Sequence, residues 1–176
     1  NAALTGHLVL STLHTNSAAG SLPRLLDMKV EPFLLASTLN VVMAQRLVRT
    51  FCGDKEQYYL NGKQLENLRK EVSLDRVMNF LKAEKVIKND IDWEKVPFYN
   101  PKPSKECSDG YMGRIGIHEI LKVTESIKRL ITSNATSDDI EGQAKKEGMM
   151  TMIEDGIFKA AQGITTIEEV LRVTSE

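Results

Sequence analysis

Two histidines stand near the start of the chain. His7 and His14 bracket the run Leu8-Val9-Leu10-Ser11-Thr12-Leu13, and Thr15 and Asn16 follow the second. A neutral imidazole donates or accepts a hydrogen bond, and a protonated one also binds negative charge. The hydroxyl and amide of Thr15 and Asn16 add neutral donors. Such a group at the carboxyl end of a strand suits a phosphate, because ligands of open α/β sheets bind outside the carboxyl ends of strands. On spacing alone the plainer reading is favoured: a buried strand whose ends are capped by two histidines. His118 follows a later apolar run without any comparable spacing and reads as structural.

The elements that must position these residues follow from apolar spacing. Residues 8–13 have the length of a buried strand. Asn16 or Ser17 is placed to cap a helix running to about Met28, bent or tightened near Pro23. Pro32 starts a second helix, apolar on most sides, from Phe33 to about Gln45. Arg46 to Cys52 reads as a strand closed by Gly53-Asp54. Between about 53 and 110 the character changes. Leu65, Leu68 and Val72, then Leu74, Val77, Met78 and Leu81 after the cap candidate Ser73, have helical spacing. Trp93, Phe98 and Tyr99 form an aromatic cluster, and Pro97, Pro101 and Pro103 impose extended chain. A strand returns over Gly113–Leu121, and the rest is helical. Thr136 with Asp139, Thr151 with Glu154 and Thr165 with Glu168 have capping spacing, and Gly163 ends the helix that carries Ile157 and Ala160. Ser126-Ile127-Lys128-Arg129-Leu130-Ile131 reads as an ordinary amphipathic helix.

Composition narrows the class. The chain has 176 residues, 41% hydrophobic and 27% charged, with a net charge of -1. That is a globular composition without the basic excess that nucleic-acid binding requires. The longest apolar stretch, residues 32–43, is too short and too polar for a membrane span. Two cysteines make no disulfide framework and point to a reduced, cytosolic setting. The chain opens with no initiator Met, charged leader or cleavage pattern, directly before its patterned segment, and reads as part of a longer protein.

Thr5-Gly6-His7, Ser11-Thr12-Leu13-His14-Thr15-Asn16 and Pro23-Arg24-Leu25-Leu26-Asp27-Met28 occur in that order. Val30–Ser37, Ala44-Gln45-Arg46-Leu47-Val48-Arg49, Gly113-Arg114-x-Gly116-Ile117-His118-Glu119 and Gly163-x-Thr165-Thr166-Ile167-Glu168-Glu169-Val170-Leu171 follow. This ordered set resembles the motor ATPases of type II secretion and type IV pilus assembly, which are hexameric P-loop enzymes with a RecA-like core. The resemblance implies an α/β fold with three parts. Residues 1–52 are the C-terminal part of the RecA-like core, 53–110 an inserted helical subdomain, and 111–176 a return strand and C-terminal helical bundle. It implies that His7 and His14 are box histidines that sense the γ-phosphate, that Thr5 positions the first, and that Arg46 and Arg114 contact nucleotide or a neighbouring subunit. For each arginine a solvated structural role is an equal alternative.

The chain contains no Gly-x-x-x-x-Gly-Lys-Ser/Thr loop, so ATP and Mg²⁺ are expected in the full-length protein and no turnover from this chain alone. The resemblance also implies a zinc module of two Cys-x-x-Cys pairs in the insertion. Here Lys55 stands three residues after Cys52 and Ser104 three before Cys107. Two thiolates of four are missing, so no zinc is expected. Cys52 and Cys107 remain close in this picture, so a disulfide could form under oxidation, but none is expected in a cytosol. The expected partners are its own subunits in a homohexamer and an inner-membrane platform protein, with no nucleic acid. The expected location is cytoplasmic, peripheral to the inner membrane. The chain by itself should be a monomer or weak dimer. Retention of the insertion favours an assembly motor over a retraction motor. The alternatives are a non-hydrolysing regulator of the same system, and a metal- or redox-responsive module built on Cys52, Cys107 and His118.

Overall fold

The structure, a computed structural model, describes residues 2–175 and is mixed α/β. The elements are α1 (Ser21–Asp27), α2 (Pro32–Thr38), β1 (Val41–Phe51), β2 (Lys55–Tyr58), α3 (Gly62–Glu71), α4 (Leu74–Ala83), β3 (Phe98–Pro101), β4 (Tyr111–Lys122), α5 (Glu125–Thr132), α6 (Ser137–Lys146), α7 (Met152–Ala161) and α8 (Ile167–Thr174). β1 pairs with β4. β2 and β3 are antiparallel, with Lys55 opposite Pro101 and Tyr58 opposite Phe98. Two compact units result. The first takes the chain up to Gln45 together with His118–Thr151, and the second takes Arg46–Ile117 and the chain from Met152 onward. Among the described residues no helix is long and apolar enough to cross a membrane.

In the first unit α2 packs on α5, and α5 on α6. Ile127 and Ile131, one turn apart on α5, are fully buried, as is Ile140 on α6. Thr124 caps α5 by accepting from Ile127 N, and Thr136 and Asp139 form a reciprocal capping box on α6. Lys128 lies on the solvent side of α5 and pairs with Glu125.

The first unit also departs from the expected elements. Residues 7–15 form neither helix nor strand, and Leu8 and Leu10 are each 88% exposed. An apolar run becomes a strand only where a neighbouring strand takes its backbone hydrogen bonds. No described strand does so here. The helix expected from Asn16 starts instead at Ser21, placing Pro23 in the first turn, where its missing N–H is not needed. Ser17 Oγ accepts from Gly20 N in the turn before it. The helix expected to reach Gln45 stops at Thr38, and Val41-Val42 begin β1. A run apolar on most sides fits a strand as well as a helix, and β-branched residues decide for the strand.

In the second unit the apolar spacings of residues 65–81 become α3 and α4 with their expected faces buried. Asn61 and Gln64 form a capping box on α3. Trp93 stacks on Phe98 at 6.4 Å between centroids, and Tyr58 tilts against Phe98 from the paired strand. Arg76 of α4 pairs with the buried Glu154 of α7 at 2.7 Å. Gly163, at φ 71°, closes α7 through bonds from its own N–H to Ala160 O and from Ile164 N to Lys159 O.

α7 and α8 meet at a glycine. A Cβ built on Gly156 would lie 2.3 Å from Val170 Cγ1 and 2.9 Å from Cγ2. Alanine would gain about 1 kcal/mol in helix propensity. Overpacking a fixed β-branched neighbour costs about 1–3 kcal/mol, so the clash should win. Gly156→Ala is expected to lower the melting temperature, and Val170→Ala in the same chain to restore part of the loss. A Gly156→Ala protein at least as stable as the parent would show that the two helices can move apart freely.

Candidate functional site

The histidine segment begins in a turn. Thr5 Oγ1 donates to Ala2 O at 2.8 Å and lies 2.9 Å from His7 Nδ1, while Gly6, at φ 88°, lets the chain reverse. With the single hydroxyl proton of Thr5 on Ala2 O, His7 Nδ1–H donates to Thr5, and Nε2 is left facing outward chemistry. The ring's orientation is therefore set by a residue two positions away. His14 is exposed, and its ring makes no hydrogen bond or ion pair among the described residues. Thr15 turns inward: its hydroxyl lies 2.7 Å from Ser21 Oγ and 3.2 Å from Ser17 O. It ties down the turn after His14 rather than standing open as a phosphate donor, which corrects the expectation for that side chain.

Thr5, His7 and His14 all belong to the first unit, whereas Arg46 and Arg114 belong to the second. Arg46 is half-buried and has a partner within the protein. Arg114 is exposed and lines a concavity of about 500 Å³ with Arg49, Asp109 and Tyr111. The charge of Arg49 is already matched. It pairs with Glu169 at 2.6 Å and Asp109 at 3.0 Å, and its guanidinium lies 4.1 Å from the Tyr111 ring centroid. Arg114 makes no ion pair among the described residues and is the cation of this surface with charge to offer an external anion.

Sequence reasoning missed the centre of the second unit. The Glu169 carboxylate is buried and accepts from Arg49 N and Nη2 and from Arg172 Nε and Nη2. Hydrogen bonding from Arg49 outweighs burial and holds its pKa at about 2, against an ordinary value near 4.5. The same pairing raises the Arg49 pKa. The i,i+3 spacing of Glu169 and Arg172 was the visible part of this cluster; the Arg49 contact, 120 residues away, left no local trace.

The second unit also holds Cys52, Lys55, Ser104 and Cys107. Cys52 and Cys107 are joined in a disulfide with their Cα atoms 6.4 Å apart, which differs from the reduced pair expected of a cytosolic setting; the two chain segments bring the sulfurs within bonding reach. Ser104 and Cys107 close a turn: Ser104 N donates to Cys107 O at 2.9 Å, and Cys107 N to Ser104 Oγ at 3.2 Å. Lys55 Nζ donates to Gly163 O at 2.5 Å and lies 4.5 Å from the Tyr99 ring centroid. A cation there complements the C-terminal end of α7. Structural zinc needs four thiolate or imidazole donors. Two sulfurs bonded to each other, a hydroxyl accepting a backbone N–H and an ammonium held on a carbonyl do not fit it.

Residues 1–172 match the family described as type II/IV secretion system protein. The chain is 44% identical over 175 residues to the type II secretion system protein E of Xanthomonas campestris pv. campestris, covering 99% of this chain and 28% of that protein. It is 40% identical over 176 residues to the type IV pilus assembly ATPase PilB of Pseudomonas aeruginosa, covering 99% and 28%. To the type II secretion system ATPase E of Vibrio cholerae serotype O1 it is 41% identical over 176 residues, covering 99% and 31%. The chain thus spans less than a third of the length of these relatives.

Two outcomes follow from the second-unit geometry. The depressed pKa of Glu169 contributes stability that is complete above about pH 4.5 and is lost as the pH falls towards about 2. In urea unfolding across that range, Glu169→Gln should be the less stable protein at neutral pH, decline less on acidification, and converge with the parent near the acid end. Parallel curves would refute the coupling. The disulfide spans 55 residues of sequence, for which chain entropy predicts about 4 kcal/mol of stabilisation. Reductant should therefore lower the unfolding midpoint of the parent and leave that of the Cys52→Ser, Cys107→Ser protein unchanged.

Proposed function

Because this chain belongs to the type II/IV secretion system protein family, we propose that it is the histidine-box portion of a hexameric motor ATPase that powers type IV pilus assembly or type II secretion. The reading makes residues 1–52 the C-terminal part of a RecA-like core, 53–110 an inserted subdomain, and 111–176 a return strand with a C-terminal helical bundle. The motor acts in the cytoplasm at the inner membrane, passing the work of ATP hydrolysis to a platform protein there. Assembly is favoured over retraction because the insertion is retained.

The observation that best supports the reading is the Thr5–His7 contact at 2.9 Å, at the head of an exposed segment that also carries His14. An imidazole fixed at Nδ1 offers Nε2 in a defined direction. Phosphoryl transfer is governed by positioning and electrostatics, with Mg²⁺ neutralising charge on the transferred phosphate. In this reading His7 and His14 contact the γ-phosphate and register its loss, and Thr5 aims the His7 ring. Arg114 reaches an anionic group on nucleotide or on a neighbouring subunit. Arg46, half-buried and already partnered, contributes to the same interface from within the fold.

The test is made on the whole protein that carries this chain. His14→Ala should fold normally and lower kcat for ATP hydrolysis about tenfold or more, equivalent to about 1.4 kcal/mol in barrier. Unchanged turnover removes His14 from the mechanism. A whole protein that lacks a phosphate loop and turns over no ATP makes the chain a non-hydrolysing regulator instead.

A further inference from the structure

We propose that Glu119 is a positioning residue for His14, acting through the backbone of Ala18; the inference rests on the phosphate-sensing role of His14 proposed above. Glu119 lies on β4 between the fully buried Ile117 and Leu121 and is itself only 4% exposed. Its Oε1 accepts from Ala18 N at 2.9 Å, across 101 residues of sequence. A buried carboxylate is costly unless hydrogen bonds compensate it, and an apolar side chain would fill the same space without that cost. Packing alone therefore does not require a carboxylate here.

One contact of the carboxylate reaches the turn on which the histidine segment ends. Ala18 and Ala19 are fully buried, and the turn closes through Ser21 N to Ala18 O, Leu22 N to Ala19 O and Gly20 N to Ser17 Oγ. The Thr15 hydroxyl joins it through Ser21 Oγ and Ser17 O, so the residue next to His14 is bonded to the turn that Glu119 holds. Residues 7–15 have no helix or strand of their own to fix His14. Among the described residues the contacts that hold the segment lie at its two ends. The Thr5 turn sets one end, and the Ala18 contact with a rigid strand sets the other.

The experiment measures steady-state ATP hydrolysis by the whole protein in four forms: parent, His14→Ala, Glu119→Ala and the double variant. Glu119→Ala should lower kcat about tenfold with KM for ATP within about twofold, the pattern of a lost transition-state interaction. Combined with His14→Ala it should add less than about a twofold further loss, because the two residues act as one unit. Glu119→Gln, whose amide oxygen still accepts from Ala18 N–H, should recover most of the rate. If Glu119→Ala does not fold, Glu119→Asp takes its place: it keeps the charge, withdraws the acceptor by one methylene, and should show the same non-additivity. Full additivity with His14→Ala, or an unchanged kcat where His14→Ala is slow, overturns the positioning role alone. An unchanged rate in His14→Ala overturns the sensing role and this inference with it.

Discussion

The Glu169 carboxylate is the interaction on which the second unit depends. It lies at the start of α8 and takes donors from β1 and from its own helix, four in all. A lone buried carboxylate is strongly unfavourable, and one saturated by two guanidinium groups and a backbone N–H is not. The consequence extends beyond the pair. Because Arg49 is held on Glu169, its guanidinium lies over Tyr111, and the Tyr111 hydroxyl lies 3.1 Å from the Thr166 hydroxyl that caps α8. Thr165 Oγ1 donates to Arg49 O. The strand entering the unit, the strand leaving it and the last helix are thus fixed around one negative charge, and Arg114 is left on the surface beside a cluster whose own charges are balanced.

The chain at residues 52–55 is tied covalently to the chain at 104–107 by the Cys52–Cys107 bond. Here three separate contacts join the same neighbourhood: the Cys52–Cys107 bond, the Ser104–Cys107 turn and the Lys55 contact with Gly163 O. Lys55 also explains a local demand for glycine. A Cβ at position 163 would lie 2.5 Å from Lys55 Nζ and 2.9 Å from two Tyr99 ring carbons. Gly163 therefore serves both the positive φ that ends α7 and the approach of the ammonium to its carbonyl.

Much of this architecture is local and so was readable. Helical spacing at 65–81 gave α3 and α4, the Thr136–Asp139 spacing gave a capping box, and Gly113–Leu121 lies within β4. The errors come where a neighbour decides. Residues 33–45 were apolar enough for a buried helix or a buried strand, and pairing with β4 settled residues from Val41 onward as strand. The α8 cap is Thr166 rather than Thr165, because Thr165 is drawn to Arg49 O and the Glu169 side chain to two arginines. The Thr5–His7 contact spans two residues and lies within reach of sequence reasoning; the Ala18–Glu119 contact spans 101 and does not.

The histidine segment differs from both of these regions in what holds it. Burying a leucine side chain is worth about 1.5–3 kcal/mol, and Leu8 and Leu10 obtain almost none of it. Core packing therefore does not define the path of residues 7–15. Hydrogen bonds at the two ends do: Thr5 and Ala2 before His7, and Thr15, Ser17, Ser21 and Glu119 around the turn after His14. Each end bond contributes about 1 kcal/mol, comparable to a single contact with a ligand. A segment held this way is fixed at its ends and gains little from packing between them. The path of residues 7–15 is thus set by a few end bonds and not by the cost of opening packed apolar surface.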